Sequence, residues 1–203
     1  MAKSYKIDPT IKIYDKFLSE GDTDHEKVGW GSAESQRKRF EVLSGLGDLG
    51  GCSILDVGCG IGGLYEYLSS IYAEVNYTGV DINQGMLKMA ANRHPKLSFI
   101  CADLFAENNL FKSSRFDYVF LSGALNLSHE NQEQIIRDMM AKMFLIANKG
   151  IALNFLSVFS DFYKAGEYYS NPEKILQSAL QISRKVVLRH DYMPHDFSVY
   201  IYK

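Results

Sequence analysis

The segment that most restricts this chain is Ile54-Leu-Asp-Val-Gly-Cys-Gly-Ile-Gly-Gly63. A short apolar run, Ser53 to Val57, stops at a loop with glycines at 58, 60, 62 and 63, and helical spacing resumes from Gly62 to Tyr72. A strand that turns into a helix through so much glycine lets bare backbone approach a ligand closely. Gly58, Gly60 and Gly63 satisfy GxGxxG, but that spacing alone also describes dinucleotide sites.

The rest of the chain decides what sheet this loop belongs to. Further strands are predicted at Tyr77–Val80, Leu97–Ala102, Phe116–Leu121 and Gly150–Leu156. Helices are predicted over Gln84–Arg93, Glu130–Ala147 and Asn171–Ile182, the second with Ile135, Ile136, Met139, Met143 and Ile146 as its apolar stripe. Two last strands, Lys185–Arg189 and Phe197–Tyr202, are separated by His190 to Asp196. That loop is too short for a helical crossover, so the two should pair antiparallel. Alternating strands and helices predict an α/β fold with a mostly parallel sheet covered on both faces. Ligands of such sheets bind at the carboxyl ends of the strands, at the topological switch point.

The first fifty residues read differently. Asp22 to His25 is a polar loop, Gly29-Trp30-Gly31-Ser32 follows, and Glu34 to Leu46 has helical spacing with Phe40, Leu43 and Leu46 on one face. Ser32 is placed to cap that helix. One domain spanning 1–203 is expected, with 1–50 as an arm and helix over the site.

Composition narrows the class. With 203 residues, 46% hydrophobic and 23% charged, the chain is in the globular range and can bury a core without staples. The longest stretch free of Asp, Glu, Lys and Arg is twelve residues, Tyr118 to His129, too short to span a membrane. The first residues carry no apolar signal-peptide core, so a cytoplasmic location is expected. The net charge is −2, against the basic excess usual in nucleic-acid binders. Cys52, Cys59 and Cys101 form no CxxC pair and are odd in number, which argues against disulfides and structural zinc.

Three acids give the loop its chemistry. Asp56 lies two residues before the first glycine, where a carboxylate repels pyrophosphate and suits a positive amino group. Asp81 ends the second strand, where it can accept both ribose hydroxyls. Asp103 lies just beyond the third, within reach of an adenine amine. An amine or sulfonium, a ribose and an adenine without phosphate describe S-adenosylmethionine.

At this point the sequence resembles the class I S-adenosylmethionine-dependent methyltransferases. The matching residues are Ile54 to Gly63, then Gly79-Val-Asp-Ile82, then Cys101-Ala-Asp103, then Phe116-Asp-Tyr-Val119. The resemblance implies a Rossmann-like seven-stranded sheet of order 3-2-1-4-5-7-6, strand 7 antiparallel, in a three-layer sandwich. It implies that Gly58, Cys59 and Gly60 pass under the methionine part and that Asp56 holds the amino group. Asp81 would take the ribose hydroxyls, Ile82 would pack on adenine, Asp103 would meet the adenine amine with Leu104 beside the ring, and Met86 and Ser122 are also expected to bind the cofactor. The flanks, Trp30-Gly-Ser-x-x-Ser-Gln-x-x-Arg-Phe40 and Arg189-His-Asp-Tyr192 with His195-Asp-Phe-Ser-Val-Tyr200, resemble a bacterial group of methyltransferases with no assigned acceptor.

The acceptor is less legible. After the fourth strand, Ser122-Gly-Ala-Leu-Asn126 lacks the Asn/Asp-Pro-Pro motif of DNA amino methylation, so DNA is not expected as a partner. A small-molecule acceptor is expected, with RNA or protein methylation and a non-catalytic S-adenosylmethionine-binding subunit as alternatives. Methyl transfer mainly needs alignment and exclusion of water, and a base only where the acceptor must lose a proton. The candidates for such a base are His129, His190 and His195, each with a plain structural alternative, and no metal site is expected. Arg37, Lys38 and Arg39 read as a solvated helix face, with the alternative that one of them, or Gln36, meets the cofactor carboxylate or an anionic acceptor. Tyr14, Trp30 and Gln36 are expected to approach the cofactor from the arm. The aromatic stretch Phe155 to Tyr169 is expected to help wall the pocket.

Overall fold

The computed structural model describes residues 8–105, 111 and 115–203. In it a seven-stranded sheet runs in the order β3-β2-β1-β4-β5-β7-β6. Its strands are β1 (Ser53–Val57), β2 (Asn76–Asp81), β3 (Ser98–Cys101), β4 (Phe116–Ser122), β5 (Ala147–Leu156), β6 (Val186–Met193) and β7 (Asp196–Tyr202). The pairs from β3 to β5 are parallel, and β7 runs antiparallel to both β5 and β6. Helices α1 (Asp8–Glu20), α2 (Asp24–Lys27) and α3 (Ala33–Ser44) precede the sheet. Helices α4 (Gly63–Ser69), α5 (Gln84–Arg93), α6 (Gln132–Ile146) and α7 (Pro172–Ile182) connect its strands.

Strand periodicity explains the layers. Alternate side chains of β1 go to opposite faces. Leu55 and Val57 join a core with Ile135, Met140, Ile175 and Phe197, beneath α6 and α7. Ile54 joins Phe40, Leu43, Leu64 and Leu68 beneath α3 and α4. Both faces are therefore covered, and the carboxyl edge of the parallel strands is left to bind.

Several local expectations change. The polar loop at Asp22–His25 begins α2, because Glu26 accepts from the Thr23 N–H and hydroxyl and makes a capping box. No helix was evident over 8–20, yet α1 forms there and turns Ile13, Tyr14 and Phe17 toward the sheet edge. His129 does not open α6, which starts at Gln132 after Asn131 at φ 60°. The expected loop His190–Asp196 is mostly strand: β6 continues to Met193, which pairs with Asp196 across a two-residue turn. Ser32 caps α3 as expected, accepting from Ser35 N–H at 3.1 Å. No helix among the described residues is long and apolar enough to cross a membrane.

Candidate active site

The glycine loop has the geometry its sequence demands. Gly58, Gly60 and Gly62 all have positive φ. A Cβ on Gly58 would lie 2.4 Å from the Ala124 Cβ, and one on Gly60 would lie 3.1 Å from Val28 Cγ1. The loop is thus pressed between the end of β4 and the arm, with no space for a side chain at Gly58 and little at Gly60. It is tied down from the next strand: Asp81 Oδ2 accepts from Gly60 N–H at 2.8 Å, and Asp81 Oδ1 accepts from Asn83 N–H at 2.8 Å.

Asp56 lies under this loop, 2% exposed. Tyr77 donates its hydroxyl to Asp56 Oδ2 at 2.6 Å, and Oδ1 is buried with no partner. Burial pushes its carboxyl up to about 7, against the Tyr77 hydrogen bond and with help from the nearby Asp81. Burial also raises Asp81, opposed by backbone N–H donors from Asn83, Gly60 and Ile82. A buried acid with an orphaned oxygen and no cation beside it fits a ligand that brings its own positive charge.

A single cavity of about 720 Å³ joins these groups to the rest of the carboxyl edge. Its wall includes Asp56, Gly58, Cys59, Gly60, Asp81 and Ile82 from the first half of the site, then Met86, Asp103, Leu104 and Ser122. Trp30, Gln36 and Tyr14 reach it from the arm. Gln36 Nε2 lies 3.7 Å from where a Gly63 Cβ would stand, at the start of α4. Trp30 lies so close to Gly123 that a Cβ there would be 2.5 Å from Cζ2. Burial raises the Tyr14 hydroxyl, with Asp81 and Glu167 adding to it.

The histidines separate. His129 and His195 line the cavity, and His190 does not. His190 Nε2 is 2.9 Å from Ser157 Oγ instead. His129 Nε2 is 3.0 Å from Thr10 Oγ1 on α1, and burial lowers its pKa. The basic run also separates. Lys38 pairs with Glu41 and Arg37 lies over the Tyr67 ring, both at the surface. Arg39 is 3% exposed, ion-paired to the buried Asp196 and stacked 4.3 Å beneath the Trp30 ring, so it is no solvated side chain.

Sequence reasoning missed Thr10, Ile13, Phe17 and Val28 on the wall, and Asp196 behind it. The spacing of Thr10, Ile13, Tyr14 and Phe17 is helical, and that signal was available. In the segment after β5, Phe155 is core, whereas Phe159, Phe162 and Tyr163 are exposed.

The Methyltransferase domain family matches residues 54–143. A relative from Mycobacterium tuberculosis H37Rv, Rv1506c, whose name gives it provisionally as a methyltransferase, is 28% identical over 161 residues, 74% of this chain and 93% of that protein. The phthiotriol/phenolphthiotriol dimycocerosates methyltransferase of the same species is 43% identical over 74 residues, 36% of this chain and 27% of its own length. Among solved structures, the Synechocystis magnesium protoporphyrin IX methyltransferase with bound S-adenosylmethionine aligns with a TM-score of 0.69 at 17% identity, covering 99% of this chain and all of that one. The [4+2]-cyclase SpnF aligns at 0.59 and 16% identity, covering 88% of this chain and 70% of that one, so likeness at this level speaks for fold.

Fold, loop and family agree on the class. Residues 54–143 carry a methyltransferase domain, and the sheet order and the glycine loop are similar to those of class I S-adenosylmethionine-dependent methyltransferases.

Proposed function

We propose that this methyltransferase acts on a small molecule held beside S-adenosylmethionine in the cavity at the carboxyl edge. The observation that carries the reading is Asp56: a buried carboxylate with one unpaired oxygen, at the start of a loop that leaves no room for a side chain at Gly58. In this reading Asp56 holds the cofactor amino group and Gln36 its carboxylate. Asp81 takes the ribose hydroxyls, Ile82 and Met86 pack on the nucleoside, and Asp103 and Leu104 meet adenine. Cys59 lines the loop as a small buried group rather than a nucleophile, since burial and both acids hold its thiol well above the ordinary value.

The bound cofactor supplies an electrophilic methyl on a sulfonium. The chain aligns the acceptor with it and excludes water. A cavity of about 720 Å³ is in the range of ordinary ligand sites and favours a small acceptor over a macromolecule. The relative that methylates phthiotriol dimycocerosates and the structural neighbour named for magnesium protoporphyrin also have small-molecule acceptors. On this reading the chain works as one unit with residues 8–50 over the site; the first seven residues of the expected arm lie outside the described ones. Its three free thiols suit a reducing, cytoplasmic setting.

Side-by-side calorimetric titration with S-adenosylhomocysteine and NAD tests the cofactor assignment. Binding of S-adenosylhomocysteine alone is expected, and tighter binding of NAD would reject it.

A further inference from the structure

Beyond the glycine loop the cavity ends on a second polar cluster. Asp196 opens β7 and is fully buried. Its Oδ2 has two partners: Arg39 of α3 donates Nη2 to it, and His195 Nε2 lies 3.5 Å away. His195 is fixed in place. Its carbonyl accepts from Ser157 N–H at 2.9 Å, its turn is closed by the Met193–Asp196 pair, and the Phe162 ring packs on it with centroids 5.0 Å apart. One ring nitrogen thus faces a buried carboxylate, and Nδ1 is left for a group in the cavity that His195 lines.

Arg39, which shares this carboxylate with the imidazole, lines the same cavity, and its Nε and Nη1 are buried without partners. A base next to unpaired guanidinium donors suits an acceptor that is neutral when it arrives and gains negative charge as it loses its proton. A protonated amine would meet the Arg39 charge, and a carboxylate would need no base. A phenolic hydroxyl fits both groups, because its acidity is within reach of an imidazole and an aliphatic alcohol's is not. Trp30 and Phe162 supply an aromatic wall at this end. His129 also lines the cavity, but its hydrogen-bond partner is the Thr10 hydroxyl rather than a carboxylate.

We propose that the acceptor is a phenol methylated on oxygen, with His195 as the catalytic base and Asp196 as its positioning residue; the proposal rests on the methyltransferase reading above. The acceptor oxygen bonds to the methyl carbon while the carbon–sulfur bond breaks and its electron pair stays on sulfur, leaving S-adenosylhomocysteine. The hydroxyl proton passes to His195 Nδ1, where Asp196 balances the charge, and then to solvent. The charged and titratable groups around this end are Asp196, Arg39 from α3, Tyr192 from β6, and Lys164 and Glu167 from the loop after β5.

The test uses methyl-labelled S-adenosylmethionine and four acceptors on one ring system: 2-naphthol, 2-naphthylamine, 2-naphthoate and 2-naphthalenethiol. Label is expected in 2-naphthol at least tenfold faster than in the others. His195→Gln should lower kcat on 2-naphthol about 100-fold or more, remove the acid limb of the pH profile, and leave S-adenosylhomocysteine affinity within about twofold of wild type. Asp196→Asn should lower kcat on 2-naphthol at least tenfold while leaving its KM and S-adenosylhomocysteine affinity within about twofold, a split that a purely structural aspartate would not cause. Preference for the amine or thiol, no methylation of 2-naphthol by a chain that binds S-adenosylhomocysteine, or undiminished turnover in His195→Gln overturns the proposal and leaves the cofactor reading standing. Failure to bind S-adenosylhomocysteine removes that reading first.

Discussion

The glycine-loop end of the cavity comes from one continuous stretch, Asp56 to Leu104, whereas the opposite end joins Thr10 to His129 and Arg39 to Asp196, partners 119 and 157 positions apart. The first end is held mainly by backbone groups. Asp81 binds two backbone N–H donors, and positive-φ glycines shape the loop. The second end is held by side chains: a buried ion pair, an indole stacked on a guanidinium, and a histidine against a carboxylate. Backbone recognition tolerates change in the residues between its fixed points, and side-chain recognition does not. One end therefore suits a ligand shared across a broad class, and the other suits an acceptor particular to this chain.

If the two ends are separable, damage to one should spare the other. Replacing Arg39 with Met leaves Asp196 buried with only His195 beside it. Breaking a buried pair in this way costs about 3–5 kcal/mol, and urea unfolding should report a loss in that range. The folded remainder should bind S-adenosylhomocysteine within a few-fold of wild type. A loss below about 1 kcal/mol would mean the pair is replaceable, and a collapse of cofactor affinity would show that the two ends are one unit.

Asp81→Ala strikes the other end. It should weaken S-adenosylhomocysteine binding by about 1.5–3 kcal/mol, the scale of a lost charged hydrogen bond, measured by calorimetry. Unchanged affinity would remove Asp81 from the ribose.

A smaller effect tests Asp56 through pH. Its carboxyl is held up at about 7, mainly by burial. It is mostly protonated at pH 6 and ionised at pH 8, and a cationic amino group favours the ionised form. Binding of S-adenosylhomocysteine should therefore tighten about tenfold from pH 6 to pH 8, since one unit below its pKa about a tenth of the group is ionised. Below pH 7 binding should release a proton, visible in buffers of differing ionisation heat. Asp56→Asn should flatten the dependence. A flat profile in the wild type would place the amino group elsewhere.

The smallest effect concerns the arm between the two ends. Arg93 pairs with the half-exposed Asp24 at 2.6 Å, anchoring α2 on α5. Exposed pairs contribute at most about 1 kcal/mol, so Asp24→Asn should quicken proteolysis within Gly21–Gly31 only a few-fold. Saturating S-adenosylhomocysteine should slow that cleavage and change the fluorescence of Trp30, the only tryptophan. If neither observable responds, the arm is a fixed strap rather than a lid.

Legibility followed the same division. The run Ser53–Val57 and the helix Gln84–Arg93 stand at the residues where apolar spacing put them. The strand order that the family resemblance implied also agrees, and the short final loop accounts for the antiparallel pair. Asp56, Asp81 and Asp103 were legible because each marks the end of a strand whose neighbours are fixed by sheet order. Arg39 was not. Its neighbours Arg37 and Lys38 are solvated, and only the docking of α3 over β5 and β7 turns one residue of the three inward. The helix over 8–20 was missed although Thr10, Ile13, Tyr14 and Phe17 repeat at helical spacing, because that inward face is short and includes a threonine. Its partners are tertiary ones, His129 and the glycine-loop side of the cavity.

The amino-acid sequence by itself determined the α/β layering, the antiparallel final strand pair and the glycine loop at the carboxyl edge. Each of these follows from periodicity, glycine conformational freedom and strand-end position, which are local properties of the chain. Only the tertiary structure decided which two of three histidines line the cavity, which of three adjacent cations is buried, and that Asp196 receives it. Burial and pairing of charge depend on groups brought together from opposite ends of the chain, and no spacing along the sequence encodes that distance in space.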